Sequence, residues 1–218
     1  MPQLPRLFLL CALVLGLHAG DAATDKWEKD IAAFEAADKK SFPPSGGNVF
    51  VGSSSIVKWG PIAQDLAPAP IIKRGFGGSL LSDSEHYTDR IIIPYKPKRV
   101  FVYAGDNDLA ASRTPEAVAK SFADLAEKVH TALPATKVWF ITIKPSPSRE
   151  KLLDAIIKTN SLIKDFAAGH PYVALVDVFT PMLKDGKPRP ELFVSDNLHM
   201  NPDGYKIWIG LIKPLLAD

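Results

Sequence analysis

Five short runs of consecutive apolar residues divide this chain into strand-like segments, and stretches with helical periodicity lie between them. A run that is apolar at every position is typical of a strand buried on both faces, as in parallel sheets covered by helices. The pattern therefore predicts one α/β domain with a five-stranded parallel sheet in three α/β/α layers. The predicted strands are 49–51, 71–72, 100–103, 138–141 and 173–176, and the predicted helices are 25–36, 55–66, 82–92, 115–132, 150–168 and 202–215.

The first twenty-two residues have the pattern of a secretory signal peptide. Arg6 precedes an apolar run over 7–17, and small residues up to Ala22 follow it. The run is too short for a membrane span, which needs about 20 residues. We therefore expect a signal peptide over 1–22, a single domain over 23–218, a periplasmic or extracellular location and no stable membrane anchor.

The cysteine and charge content of the chain argue against several classes of binding partner and metal site. Cys11 is the single cysteine of the 218 residues and lies within the apolar run, so a disulfide framework and a four-cysteine zinc site are excluded. The chain has 26 Lys and Arg residues against 24 Asp and Glu residues, which gives a net charge of +2. This balance does not favour nucleic acid or an anionic membrane as the main partner. We expect no metal and no cofactor.

Candidate functional residues are sought where the predicted strands end, because ligands of open α/β sheets bind outside the carboxyl ends of the strands. Segment 52–55, Gly-Ser-Ser-Ser, follows the first predicted strand, and segment 74–79 follows the second. Segment 105–108, Gly-Asp-Asn-Asp, follows the third, and segment 196–201, which contains Asp-Asn-Leu-His, precedes the last helix. These segments hold the residue types that acyl transfer requires.

In this order and at these places, the four segments resemble the blocks of the GDSL or SGNH hydrolase family, the GDSL-like lipases and acylhydrolases that include platelet-activating-factor acetylhydrolases. The resemblance covers nearly all of the predicted mature chain and implies a flavodoxin-like three-layer fold. It implies that Ser54 is the nucleophile, His199 the base and Asp196 the residue that orients the histidine. It also implies an oxyanion hole made by the Ser54 N–H, the Gly78 N–H and the Asn107 side chain.

One position departs from the family pattern, because Ser53 stands where the family has aspartate. The resemblance places the aspartate of the reaction at Asp196, so this change is expected to alter the turn and to leave catalysis intact. Ser53 and Ser55 flank Ser54 and leave open a shift of the nucleophile by one position. The Gly-x-Ser-x-Gly turn of another hydrolase fold does not fit, because Ile56 follows Ser55.

The chemistry of these residue types favours a serine esterase. A serine hydroxyl becomes a good nucleophile when a base such as histidine, with an ordinary pKa of about 6.5, removes its proton. We therefore predict a secreted esterase or acylhydrolase that cleaves carboxylic esters through an acyl-enzyme. The alternative is a non-catalytic exported domain of the same fold that binds a carbohydrate or a lipid.

The substrate class is inferred from the compartment and from the segments between the blocks. No long apolar lid is visible there, so a short acyl group such as O-acetyl, on a carbohydrate or another small molecule, is favoured. Trp59 is a candidate for the wall of the substrate pocket, with core packing as the alternative. Lys144 and Arg149 follow the fourth predicted strand and could either meet an anionic substrate or remain solvated.

Overall fold

The structure is a computed structural model that describes residues 25–217, so the predicted signal peptide lies outside the described residues. Within this range, no helix combines the length and apolarity needed to cross a membrane. The helices are α1 (Glu28–Lys40), α2 (Ser54–Lys58), α3 (Ile62–Asp65), α4 (Leu81–His86), α5 (Thr88–Ile91), α6 (Asp106–Ala110), α7 (Pro115–Ala132), α8 (Leu153–Gly169) and α9 (Pro202–Ile212). The strands are β1 (Asn48–Gly52), β2 (Ile71–Gly75), β3 (Arg99–Tyr103), β4 (Lys137–Ile141), β5 (Val173–Val176), β6 (Leu183–Lys184) and β7 (Lys187–Pro188).

The first five strands form one parallel sheet in the order β2-β1-β3-β4-β5. Their ends are level: Gly52 lies opposite both Gly75 and Tyr103, and Ile141 lies opposite Val176. The carboxyl ends of the strands therefore meet at one edge of the sheet. This is the edge at which the sequence places its candidate residues.

Helices cover both faces of this sheet, and two apolar clusters fill the space between the layers. Val49 and Val51 of β1 are buried in the cluster under α1, α4, α5, α7 and α8. Phe50, which alternates with them, is buried in the cluster under α2, α3 and α9. The prediction of a three-layer α/β/α fold with a five-stranded parallel sheet is confirmed.

The helix α7 forms as its capping residues predict. Oγ1 of Thr114 accepts the N–H of Ala117 at 3.2 Å, which satisfies one of the free donors of the first turn. Pro115 occupies the first helical position, where its missing N–H costs nothing. Local signals are sufficient to place this helix.

Other helices differ from the prediction. The predicted helix 55–66 is two short helices, α2 and α3, because Gly60 and Pro61 interrupt it and proline has no N–H to continue the ladder. The predicted helix 82–92 is divided at Tyr87 into α4 and α5. The short helix α6 and the β6–β7 pair are absent from the prediction.

Gly52 is a position at which the sheet edge leaves no room for a side chain. Its φ is +132°, and a Cβ built on it would lie 1.9 Å from the carbonyl oxygen of Tyr103. This close approach lets the Ser53 N–H donate to that oxygen at 2.9 Å, while the Gly52 carbonyl accepts the N–H of Phe76 at 2.9 Å. The turn after β1 is thereby fixed between the segments that follow β2 and β3.

We predict that Gly52→Ala lowers the free energy of unfolding by about 3 kcal/mol, because overpacking against a rigid backbone and a positive φ each cost about 1–3 kcal/mol. The matched control is Gly210→Ala on α9, where a Cβ would meet nothing within 4 Å. Alanine is favoured in a helix by about 1 kcal/mol, so the control should be neutral or more stable. Urea unfolding measures both, and an unchanged midpoint for Gly52→Ala would contradict the steric argument.

Candidate active site

Ser54 lies at the carboxyl edge of the sheet, as the first residue of α2. Ser53 is the N-cap of this helix, so Ser54 lies in the first turn. The N–H groups of the first turn have no acceptor within the helix. Oγ of Ser54 lies 3.0 Å from Nε2 of His199, a residue 145 positions further along the chain. This contact is made by the fold and not by local sequence.

Asp196 and His199 belong to one tight loop before α9. Oδ1 of Asp196 accepts the N–H groups of Leu198 and His199, both at 2.9 Å, and Oδ2 lies 2.6 Å from Nδ1 of His199. The N–H of Val194 donates to the carbonyl of His199 at 2.9 Å, and this hydrogen bond joins the two ends of the loop. A spacing of three residues thus lets one carboxylate hold both the backbone and the ring of the histidine.

Hydrogen bonds keep the carboxylate of Asp196 ionised. The bond from the His199 ring, followed by those from the N–H groups of His199 and Leu198, holds the pKa of Asp196 well below its usual range. A carboxylate at Nδ1 favours the tautomer with the proton on Nδ1, which leaves Nε2 as an acceptor for the Ser54 hydroxyl. This arrangement can take a proton from Ser54 and stabilise the resulting imidazolium.

Gly78 and Asn107 lie in turns that follow the neighbouring strands β2 and β3. Nδ2 of Asn107 donates to the carbonyl of Ser79 at 3.1 Å, and Gly78 has a φ of +85°, which favours glycine. In the hydrogen-bond network of residues 25–217, the N–H groups of Ser54 and Gly78 have no acceptor. The same part of the chain contains no cluster of three or more His, Cys, Asp or Glu side chains suited to a metal ion.

Lys144, which the sequence suggests for substrate binding, is buried. Only 1% of the residue is exposed, and its Nζ lies 2.9 Å from the Tyr103 hydroxyl and 3.0 Å from Oδ2 of Asp106. A substrate has no access to an ammonium enclosed in this way, so the suggested contact is wrong. The sequence pattern does not reveal the acidic partner, because Asp106 follows a different strand.

Trp59 is also a core residue. Its side chain is fully buried, Nε1 donates to Oδ2 of Asp65 at 2.8 Å, and the ring packs edge-on against Phe50 and Trp208. Core packing, the alternative for Trp59, therefore describes its side chain. The residue also borders a cavity of about 310 Å³, whose lining includes Met200 and Tyr205 but neither Ser54 nor His199.

Arg149 lies on a 3₁₀ segment, Pro147–Leu152, that is attached to the histidine loop. The attachment is a hydrogen bond of 3.0 Å from the N–H of Ser148 to the carbonyl of Asn197. Arg149 is half-buried, and its Nε has no hydrogen-bond partner among the described residues. The structure therefore places Arg149 near the loop of Asp196 and leaves it a candidate for substrate contact.

Asp108 is a structural member of this edge that sequence reasoning missed. Its side chain is fully buried and accepts the N–H of Leu81 at 3.1–3.2 Å, which ties α6 to the start of α4. Nη1 of Arg113 lies 3.5 Å away. Burial raises the pKa of Asp108 to about 6.

This fold, with its serine, histidine and aspartate in contact at the sheet edge, defines a three-layer α/β/α hydrolase. A model of the GDSL-like lipase/acylhydrolase family matches residues 46–207, and the chain belongs to that family. It is accordingly a carboxylic ester hydrolase. No curated protein matches the sequence.

Solved structures share this fold at low sequence identity. A GDSL-like lipase from Bacteroides thetaiotaomicron is 24% identical, with a TM-score of 0.69 over 89% of this chain and 97% of that chain. A carbohydrate esterase family 3 protein from Talaromyces cellulolyticus is 18% identical, with a TM-score of 0.64 over 78% and 96%. A serine-to-alanine variant of an acetyl esterase, with an acetate ion, is 17% identical, with a TM-score of 0.65 over 78% and 96%.

The raised pKa of Asp108 makes its contribution to stability depend on pH. The pKa is about 6 in the folded state against an ordinary 3.8, so the folded protein binds this proton more tightly than the unfolded chain. The free energy of unfolding therefore falls as the pH rises from about 4 through about 6. Asp108→Asn cannot ionise, and its stability relative to the wild type should rise by about 2–3 kcal/mol between pH 4 and pH 7.5.

Urea unfolding at pH 4, 5, 6 and 7.5 measures this difference. The control is Asp124→Asn, which removes an exposed carboxylate paired with Lys120 on α7 and should change stability by less than about 0.5 kcal/mol at each pH. If the difference between Asp108→Asn and the wild type is the same at pH 4 and pH 7.5, Asp108 is ionised normally in the folded state.

Proposed function

We propose that this protein is a secreted serine esterase that hydrolyses carboxylic esters of short acyl groups, such as O-acetyl, through an acyl-enzyme. The observation that carries the proposal is the continuous chain of contacts from Oγ of Ser54 to Nε2 of His199 at 3.0 Å and from Nδ1 of His199 to Asp196 at 2.6 Å. A nucleophile, a base and an orienting carboxylate meet in the order that acyl transfer requires.

In the first half of the reaction, Ser54 attacks the carbonyl carbon of the ester while His199 removes the proton from Oγ. Asp196 orients the ring and stabilises the imidazolium. The carbonyl oxygen becomes an oxyanion, for which the proposed donors are the N–H groups of Ser54 and Gly78 and the Asn107 side chain. Each preorganised donor of this kind contributes about 2.7–4 kcal/mol to transition-state stabilisation.

His199 then donates its proton to the alcohol oxygen, the ester C–O bond breaks and the acyl group remains on Ser54, which completes acylation. In the second half of the reaction, the acyl group leaves the enzyme. A water molecule then transfers a proton to His199 and attacks the acyl carbon. When the second tetrahedral intermediate collapses, Ser54 regains the proton from His199 and the carboxylic acid is released.

Three observations support the compartment and the substrate. The signal-peptide pattern of 1–22 supports export. The carbohydrate esterase and the acetyl esterase that share the fold support an acetyl ester, including one on a carbohydrate. The sequence has no long apolar lid between the four segments, which favours a short acyl group.

Ser54→Ala should reduce the hydrolysis of p-nitrophenyl acetate at least about 10⁴-fold, because the nucleophile is removed. The matched control is Ser55→Ala, one residue away, whose side chain is buried. It should keep the wild-type rate within about twofold and also tests a shift of the nucleophile by one position. Full turnover by Ser54→Ala would refute the assignment.

A fluorophosphonate separates the esterase from a non-catalytic binding domain of the same fold. The wild type and Ser55→Ala should be labelled covalently, whereas Ser54→Ala and His199→Ala should not be, because the reagent requires an activated serine. A wild-type protein that stays unlabelled but binds an acetylated polysaccharide would support the binding domain.

Acyl-chain preference tests the substrate class. We expect kcat/KM to be highest for p-nitrophenyl acetate and to fall at least about tenfold by the octanoate, since a site selective for a short acyl group rejects longer chains on steric grounds. Release of acetate from acetylated polysaccharide should accompany this preference. A maximum at the octanoate would show a lipase-like preference and overturn the proposed acyl length.

A further inference from the structure

A buried ionic cluster lies next to Asn107 and takes no part in the proton transfers proposed above. It consists of Lys144, Asp106 and Tyr103, and the side chains of the ion pair are 1% and 5% exposed. The Lys144 ammonium donates to the Tyr103 hydroxyl at 2.9 Å and to Oδ2 of Asp106 at 3.0 Å. The Tyr103 hydroxyl donates to the same Oδ2 at 3.2 Å.

The carboxyl group of this cluster is ionised although it is buried. Burial by itself raises the pKa of Asp106, but the Lys144 ammonium and the hydrogen bonds outweigh burial and hold the pKa below its ordinary value. Burial raises the pKa of Tyr103 well above 10, so its hydroxyl stays a neutral donor. Buried ion pairs are often no more stabilising than apolar side chains of the same volume, so stability alone does not account for the cluster.

The second oxygen of Asp106 connects the cluster to the proposed oxyanion donor. Oδ1 accepts the backbone N–H of Asn107 at 3.1 Å at the first turn of α6. The Asn107 side chain then uses one N–H of Nδ2 for the carbonyl of Ser79, at 3.1 Å. An amide nitrogen carries two hydrogens, so one N–H remains for a substrate oxygen.

We propose that Lys144 is a positioning residue for the proposed ester hydrolysis, on which this inference rests: through Asp106, it fixes the Asn107 amide where the oxyanion forms. The ammonium and the Tyr103 hydroxyl hold Oδ2, so Oδ1 is directed at the Asn107 N–H. An apolar pair could fill the same volume but could not accept that N–H. Lys144 therefore acts on the substrate only through Asp106 and Asn107.

The double variant Asp106→Leu/Lys144→Met tests this role, because it removes both charges and every hydrogen-bonding group of the pair. We expect it to fold, with kcat for p-nitrophenyl acetate lowered at least about tenfold and KM changed less than about twofold, since the oxyanion contact exists mainly in the transition state. Asp106→Asn/Lys144→Gln keeps hydrogen-bonding groups and should recover part of kcat. The control Asp124→Leu/Lys120→Met removes an exposed pair and should keep the wild-type kcat.

A cycle with Asn107→Ala distinguishes positioning from a general structural effect. If the pair acts through Asn107, its replacement in the Asn107→Ala background should lower kcat less than about threefold further. A wild-type kcat for the apolar double variant would overturn the inference. The same holds if the pair variant lowers kcat by the same factor in the Asn107→Ala background as in the wild type. If the apolar double variant does not fold, the smaller pair Asp106→Ala/Lys144→Met, which also removes the acceptor for the Asn107 N–H, decides, and a wild-type kcat there overturns the inference as well.

The wild type separates the failure of this inference from the failure of the proposed function. A wild type that neither hydrolyses p-nitrophenyl acetate nor reacts with the fluorophosphonate refutes the proposed function and this inference with it. An active wild type whose pair variants keep full kcat refutes the role of Lys144 alone.

Discussion

The carboxyl ends of β1, β2 and β3 lie level with one another, and this register places most of the candidate site. At Gly52 the backbone of β1 passes close enough to Tyr103 for the Ser53 N–H to bond to its carbonyl, and the N–H of Phe76 bonds to Gly52 in turn. The segments of the serine, the glycine and the asparagine are thus held by backbone hydrogen bonds that do not depend on side-chain rotamers. His199 reaches this point from a loop 145 positions further along the chain.

Three carboxylates near this edge differ in ionisation for different physical reasons. Asp196 is half-exposed, and hydrogen bonds from His199 and the loop backbone keep it charged. Asp106 is buried, and the Lys144 ammonium outweighs the cost of burial. Asp108 is buried with a more distant cation, so its pKa rises to about 6. The three residues are all aspartates, so the differences in their pKa values come from their surroundings.

Local patterns predicted the elements that local interactions stabilise. The strands follow from runs of apolar residues, because burial on both faces requires an apolar side chain at every position. Thr114 and Pro115 place the start of α7 correctly. Helical periodicity failed over 55–66, where Gly60-Pro61 interrupts the ladder despite an amphipathic pattern. The expectation for Lys144 failed because its acidic partner lies 38 residues earlier, and no local pattern records such a contact.

By itself, the sequence determined the parallel α/β architecture, the order of the four segments and their places after the strands, since these follow from apolar periodicity and short-range turn chemistry. Only the tertiary structure decided that Ser54 meets His199 across 145 positions, that Trp59 and Lys144 are buried and that Asp106 bridges the lysine to Asn107. The reason is that strand register and close packing are set by contacts between distant residues, and a side chain's exposure and charge state follow from those contacts.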